Sequence, residues 1–232
     1  MAVAVLAAAV LREAGEMKTS AQHFLTEEQQ DKVTRSVKKA ELTTSGEIVP
    51  MIVSACNDYA KARFLTALLF SLPAALIIPH FLSTYLWFEP DNVYLFLSLM
   101  VPLFLVFNQV IIFYPRLAKL FLSNEEMERE VQEEAVKCFF EEKLYATRDA
   151  NGILVFISVF EKKAWILADH GIDRKIDPQT WVTLVNELTA KIKDGERCTA
   201  LCQTISEIGQ ILQQHFPYKK DDTDELHNLI IK

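Results

Sequence analysis

The chain carries no P-loop, no dinucleotide-binding fingerprint, no nucleophile elbow and no HExxH helix. The local motifs of nucleotide hydrolysis, nicotinamide chemistry, serine hydrolysis and zinc proteolysis are therefore all missing. A concentrated basic face is missing too. The net charge is −7, and bases cluster only as local pairs such as Lys38-Lys39, Lys162-Lys163 and Lys219-Lys220. That excludes the phosphate-neutralising surface a nucleic-acid partner needs. Cys198 and Cys202 lie one helical turn apart, but no second ligand pair with zinc spacing accompanies them. These two, with Cys56 and Cys138, read as reduced thiols of a cytosolic domain. Met1–Val10 is apolar but lacks the basic n-region of a signal peptide and runs into Arg12-Glu13. Met17 begins a more natural start, so residues 1–16 read as a dispensable extension.

The most consequential absence is of charge. No Lys, Arg, Asp or Glu occurs in Phe64–Phe88 or in Val93–Tyr114. Each run is long enough to cross a hydrocarbon core of about 30 Å as a helix. Only Glu89-Pro90-Asp91-Asn92 separates them, so residues 61–114 read as a transmembrane hairpin with spans 64–88 and 93–114. Lys61 and Arg63 precede the first span, Arg116 and Lys119 follow the second, and the loop has acids but no bases. The positive-inside rule then places both flanks and both termini in the cytoplasm. A soluble apolar hairpin is the alternative, and so few charges over so long a stretch disfavour it. His80, Asn108 and Gln109 read as interface polarity rather than a path, and Pro73, Pro79 and Pro102 as kinks.

The rest of the chain is enough for one soluble domain. Thr26 with Gln29 forms a capping box for a helix to about Leu42. Glu47–Ser54 reads as a strand in which Pro50 favours an edge position or a bulge. After the hairpin, Ser123 and Glu126 open a helix to about Tyr145. Gly152–Phe160 is nearly all apolar, as in a strand covered on both faces. Ala164–Ala168 pairs with it as a hairpin, and Asp177-Pro178 starts a helix. A last helix stops before Pro217, and a polar, loosely held tail occupies 217–232. Strand–helix–strand connections are normally parallel crossovers. The order therefore predicts a three-layer α/β/α sandwich with a small mixed sheet, its first two strands parallel and the third antiparallel. The cytosolic domain is discontinuous, 17–60 with 115–216.

These pieces are similar to the TPM domain. The resemblance rests on Thr44-Ser45-Gly46-Glu47-Ile48-Val49, on Arg148–Ser158, on Glu161-Lys162-Lys163-Ala164-Trp165-Ile166 and on Asp169-His170-Gly171-Ile172. His215-Phe216-Pro217, with the acids at Asp221, Asp222, Asp224 and Glu225, resembles the bacterial two-span membrane branch. The resemblance spans roughly Phe24–Leu226. It implies the α/β/α fold, a place in the bacterial cytoplasmic membrane, and a family whose plant members are associated with acid phosphatase activity and calcium. Soluble members tend to have Gly-aromatic-Gly followed by an acid after the last strand. Here Asp169-His170-Gly171-Ile172-Asp173 keeps only the second glycine.

Topology points to a site of its own. The first strand ends near the membrane, so the loops 43–46, 148–151 and 169–173 should meet on the membrane-distal rim. They bring Thr44, Ser45, Arg148 and Asn151 as ligand-binding candidates. Asp149, Asp169 and Asp173 are candidates to hold Ca2+ or Mg2+ through oxygen, and Asp149 and His170 are candidates for catalysis. Asp149-Ala150-Asn151-Gly152 is equally a good turn sequence, and Asp173 and Asp177 fit caps. Two functions follow: an accessory or scaffold factor for membrane protein complexes, with a membrane-protein partner or a homo-oligomer, or a divalent-metal-dependent phosphatase.

Overall fold

The computed structural model describes residues 21–86, 93–147, 150–218 and 226–232. The extension 1–16, the loop Glu89–Asn92 and the acids Asp221–Glu225 lie outside the described residues. The elements begin with α1 (Glu27–Glu41), β1 (Glu47–Val53), α2 (Ala60–Leu86), α3 (Val93–Phe113) and α4 (Asn124–Glu141). There follow β2 (Gly152–Ser158), β3 (Lys163–Ala168), the single turn α5 (His170–Asp173), α6 (Pro178–Lys193), α7 (Arg197–His215) and β4 (Ile230–Ile231). Short 3-10 helices occupy Pro115–Phe121 and Leu144–Ala146. The chain divides into an apolar unit around 57–126 and an α/β unit made of 21–56 and 127–232.

In the apolar unit, α2 and α3 run through Pro73, Pro79 and Pro102 without a break. The two helices meet through small side chains on α2, where Ala62, Thr66, Ala67, Ser71 and Ala75 are buried. Phe64 meets Phe104 edge-on, and Phe70 stacks on Phe107. With 27 and 21 residues at 1.5 Å per residue, they reach roughly 40 and 31 Å. Both are long and apolar enough to cross a membrane. Their outward faces are bare, with Leu76 64%, Phe81 67% and Val101 64% exposed. Contiguous apolar surface of this extent is rare where water is the only neighbour.

The α/β unit is built on one sheet of order β3-β2-β1-β4. β1 and β2 are parallel from Glu47 opposite Gly152 to Val53 opposite Ser158. β2 and β3 are antiparallel, with Ile153 opposite Ala168. Both relations are as the sequence predicts. Strand alternation sorts the core into two halves. Ile48, Ile52, Ile153, Val155 and Ile157 face α1, α6 and α7, meeting Val33, Val37, Leu184, Leu188, Leu201 and Ile205. Val49, Met51, Val53, Leu154 and Phe156 face α4, meeting Val131, Ala135, Cys138 and Phe139. Cover on both faces explains why β1 and β2 are apolar throughout. The helix starts are also as the residues foretell. Thr26 and Gln29 close a reciprocal capping box. Ser123 Oγ accepts from the Glu126 N–H at 3.0 Å. Asp177 accepts from the Gln179 N–H at 2.9 Å, with Pro178 in the first turn.

Three expectations change. First, the tail is not merely loose and polar: Ile230–Ile231 adds a fourth strand, parallel to β1, with Ile230 opposite Met51. Two β-branched residues suffice because one edge of β1 is otherwise unpaired there. Second, Pro50 sits in a strand flanked on both sides. Odd positions of β1 bond β2, as in Glu47 N–H to Asn151 O at 3.2 Å, and even positions bond β4, as in Lys232 N–H to Ile52 O at 2.9 Å. β4 begins to pair only at Met51. Pro50 therefore forfeits no ladder bond, and on the same edge the Ile48 N–H is taken by Glu41 Oε1 at 3.0 Å. Third, α4 ends at Glu141, not near Tyr145, because Lys143 turns left-handed at φ 57°.

Candidate functional site at the rim of the sheet

The N-terminal ends of β1 and β2 and the C-terminal end of β3 form one rim. Thr44 is held there by its hydroxyl, which donates to Phe216 O at 2.6 Å and accepts from the Gly46 N–H at 3.1 Å. The Ser45 N–H donates to the same Phe216 carbonyl at 3.0 Å. The end of α7 thus clamps the approach to β1. Asn151 joins the approaches to β1 and β2. Its Nδ2 donates to Ser45 O, its own N–H donates to Thr147 Oγ1 at 3.1 Å, and its carbonyl accepts from Glu47. On the third strand the Asp169 N–H donates to Gly152 O at 2.8 Å. Asp169 Oδ1 accepts from the His170 N–H at 2.6 Å, and Asp169 O accepts from Asp173 N–H at 3.0 Å.

Register places Glu47, Gly152 and Asp169 side by side across three strands. The two carboxylate residues, both buried, therefore flank a glycine and stand roughly 10 Å apart, twice the interstrand spacing. Gly152 is required by space: a Cβ there would overlap the Leu144 carbonyl oxygen. Among the described residues, Ser45 Oγ and Asp169 Oδ2 are buried and make no hydrogen bond. Both are rim atoms with capacity left for a ligand.

Of the predicted site residues, Thr44, Ser45, Asn151 and Asp169 come together. His170 and Asp173 lie on the exposed side of the α5 turn. Arg148 and Asp149 lie outside the described residues. Among the described residues no three His, Cys, Asp or Glu side chains group as metal ligands. Asp169 Oδ2, Ser45 Oγ and the Glu47 carboxylate are oxygens of the kind a hard cation takes. Sequence reasoning missed Glu47, Thr147 and the Phe216 carbonyl. Thr147 was findable as a hydroxyl four residues before a buried Asn; the Phe216 contact, 172 residues from Thr44, had no local signal.

The opposite end of the sheet is polar as well. Buried Glu161 accepts from the Cys56 N–H at 3.0 Å and from Ser158 Oγ. Burial pushes the Cys56 thiol well up, with the nearby Glu161 charge adding to it. Burial, with Glu134 close by, pushes Cys138 up to about 11. All four cysteines are free, and these two stay protonated near neutrality, which makes them poor nucleophiles.

A small open mixed sheet with helices on both faces, and two long apolar helices inserted after its first strand, defines an α/β domain class with a hairpin insertion. Residues 110–211 match the family model of the TPM domain. The solved NMR structure of the BA42 protein from the psychrophilic bacterium Bizionia argentinensis shares the fold, with a TM-score of 0.53. That likeness covers 89% of this chain and 94% of that one at 22% identity. No curated protein matches.

Proposed function

We propose that this chain is a membrane-anchored TPM domain that serves as an accessory or scaffold factor in the assembly or maintenance of membrane protein complexes. The hairpin spans the bilayer, and both of its flanks lie in the cytoplasm. The observation that carries the reading is the commitment of the rim. Thr44 and Asn151 are buried and bonded to loop backbone, Asp169 caps a turn, and His170 and Asp173 stand apart in solvent. General acid–base or metal chemistry needs such groups to converge on one reacting atom. The anchor is supported by two long apolar helices whose outward faces stay exposed among the described residues.

Photocrosslinking from Leu42, which is 73% exposed beside the rim, in native membranes is expected to give one membrane-protein adduct of constant mass. A ladder of unrelated adducts, or none, overturns the reading.

One observation favours a second function, a divalent-metal-dependent phosphatase acting on phosphomonoesters. Ser45 Oγ and Asp169 Oδ2 are buried and make no hydrogen bond among the described residues, and Arg148 and Asp149 closely precede the rim residue Asn151 in sequence. Turnover of a phosphomonoester that vanishes in folded Asp149→Ala and Asp169→Ala variants would establish it. No turnover across Ca2+, Mg2+ and a range of pH would dismiss it.

A further inference from the structure

The edge of β1 that faces β4 is closed in three different ways along its length. The Ile48 N–H is taken by the Glu41 carboxylate, Pro50 has no N–H to offer, and Ile52 and Ser54 present ladder groups. Those groups are filled by the chain itself. Lys232 N–H donates to Ile52 O at 2.9 Å, and Ser54 N–H donates to Lys232 O at 3.1 Å. The strand that does this is two residues long and half-buried, far short of the 5–6 residues or so of an ordinary strand.

Beside this edge lies a cleft of about 230 Å³ whose walls include Val49, Leu144, Leu226 and Ile230, with Glu141 and Glu142 at its mouth. The two acids end α4, which has no base in its last turn. Carboxylates at the negative end of a helix are disfavoured unless a cation meets them. Here Lys232 meets both, its Nζ 2.6 Å from Glu142 Oε1 and 4.0 Å from Glu141 Oε2, while Lys137 also reaches Glu141 at 4.0 Å. Backbone, apolar and ionic contacts thus select one short pattern, apolar–apolar–Lys in extended form.

We propose that the Met51–Ser54 edge, with the Glu141–Glu142 mouth, is a strand-accepting groove for an extended apolar–apolar–Lys segment of a partner protein, occupied in cis by Leu229–Lys232. Main-chain bonds give the addition its direction, and the acid pair gives its selectivity. A tethered occupant acts at an effective concentration in the millimolar range, so it masks the groove from all but a concentrated or well-matched partner. The inference deepens the accessory-factor reading and rests on it for the relevance of a partner. Peptide binding by the purified protein nevertheless succeeds or fails independently of any complex captured in membranes.

The test uses the full chain in detergent and a fluorescent peptide with the sequence of residues 226–232, followed by anisotropy. The double substitution Ile230→Asp, Ile231→Asp weakens the cis strand and leaves the accepting edge Met51–Ser54 and the Glu141–Glu142 pair unchanged. It is expected to bind the peptide about tenfold or more tightly than wild type. Adding Glu142→Lys should abolish that binding and confer binding of a peptide ending in Glu. Should the double variant fail to fold, Lys232→Met removes the ammonium with little change of side-chain length and should raise peptide affinity in the same direction. Equal affinity of wild type and cis-weakened protein, or indifference to Glu142→Lys, overturns the proposal. A wild-type dimer in light scattering that added peptide dissolves would make the occupant a second copy and overturn the foreign partner.

Discussion

Replacing Gly152 by alanine isolates one physical demand of the rim. The glycine has no left-handed backbone to justify it. Its reason is the Leu144 carbonyl oxygen, which occupies the space a Cβ would take. That oxygen belongs to backbone in a 3-10 turn and cannot swing away as a side chain would. Overpacking of this kind typically costs about 1–3 kcal/mol. Alanine returns about 0.4–1 kcal/mol by restricting the unfolded chain. The net expectation is a loss of about 1–2 kcal/mol, which for a domain of this size lowers Tm by roughly 2–8 °C. Thermal unfolding in detergent, followed by circular dichroism, reads the shift. Hydrogen exchange should locate the loosening at Asn151–Ile153 and at Leu144. Gly195→Ala is the comparison, since Gly195 has φ +92° and open space around its Cβ position; its effect stays local to the α6–α7 turn. An unchanged or raised Tm for Gly152→Ala would refute the packing argument.

Two further outcomes follow from the buried polar groups. Cys138 ionises near 9.0 in the unfolded chain and only at about 11 in the fold, chiefly because it is buried. Rising pH therefore takes the proton from the unfolded state first, and stability falls between about pH 9 and 11 by on the order of 2 kcal/mol. Cys138→Ala should flatten that part of the profile in pH-dependent unfolding, and an unaltered slope would show that the thiol titrates exposed. Glu161→Leu removes the acceptor for the Cys56 N–H and Ser158 Oγ, leaving buried donors at about 1–3 kcal/mol. Faster amide exchange at Cys56 and a lower Tm are expected, and unchanged exchange would argue that Glu161 carries no weight there.

Most of the architecture was legible because periodicity carries it. The double-sided apolar runs of β1 and β2, the caps at Thr26, Ser123 and Asp177, and the charge-free runs each encode their own element. The fourth strand was not legible, because Ile230-Ile231 is too short for any alternation to register and only an open edge gives it meaning. Half of the rim was legible: loop order predicted that Thr44, Ser45, Asn151 and Asp169 would meet. Their burial was not, because a polar residue in a turn reads as solvated until its distant partner is known. Phe216 O for Thr44 and Ser45 O for Asn151 are such partners.

The insertion itself poses the last question, since a crossover from β1 to β2 must tolerate a long apolar excursion. The strand is tied off before the chain leaves. Val159 N–H donates to Val53 O at 3.0 Å, Phe160 N–H to Ser54 O at 2.9 Å, Ser54 N–H to Lys232 O, and Cys56 N–H to Glu161. The return is fixed by Ser123 capping α4 and by Val131, Ala135 and Phe139 packing under the sheet. None of these contacts uses a residue of α2 or α3. Loop closure costs only about 0.6 kcal/mol per doubling of length, so the domain gains little fold stability from the hairpin and loses little by carrying it. Replacing residues 57–122 with a Gly/Ser linker should thus yield a soluble monomer with an intact α/β unit. The check is amide exchange: protection at Ile48–Val53 and Ile153–Ile157 should match that of the full chain. Loss of that protection would mean that the hairpin completes the core, and the anchor would then be part of the fold.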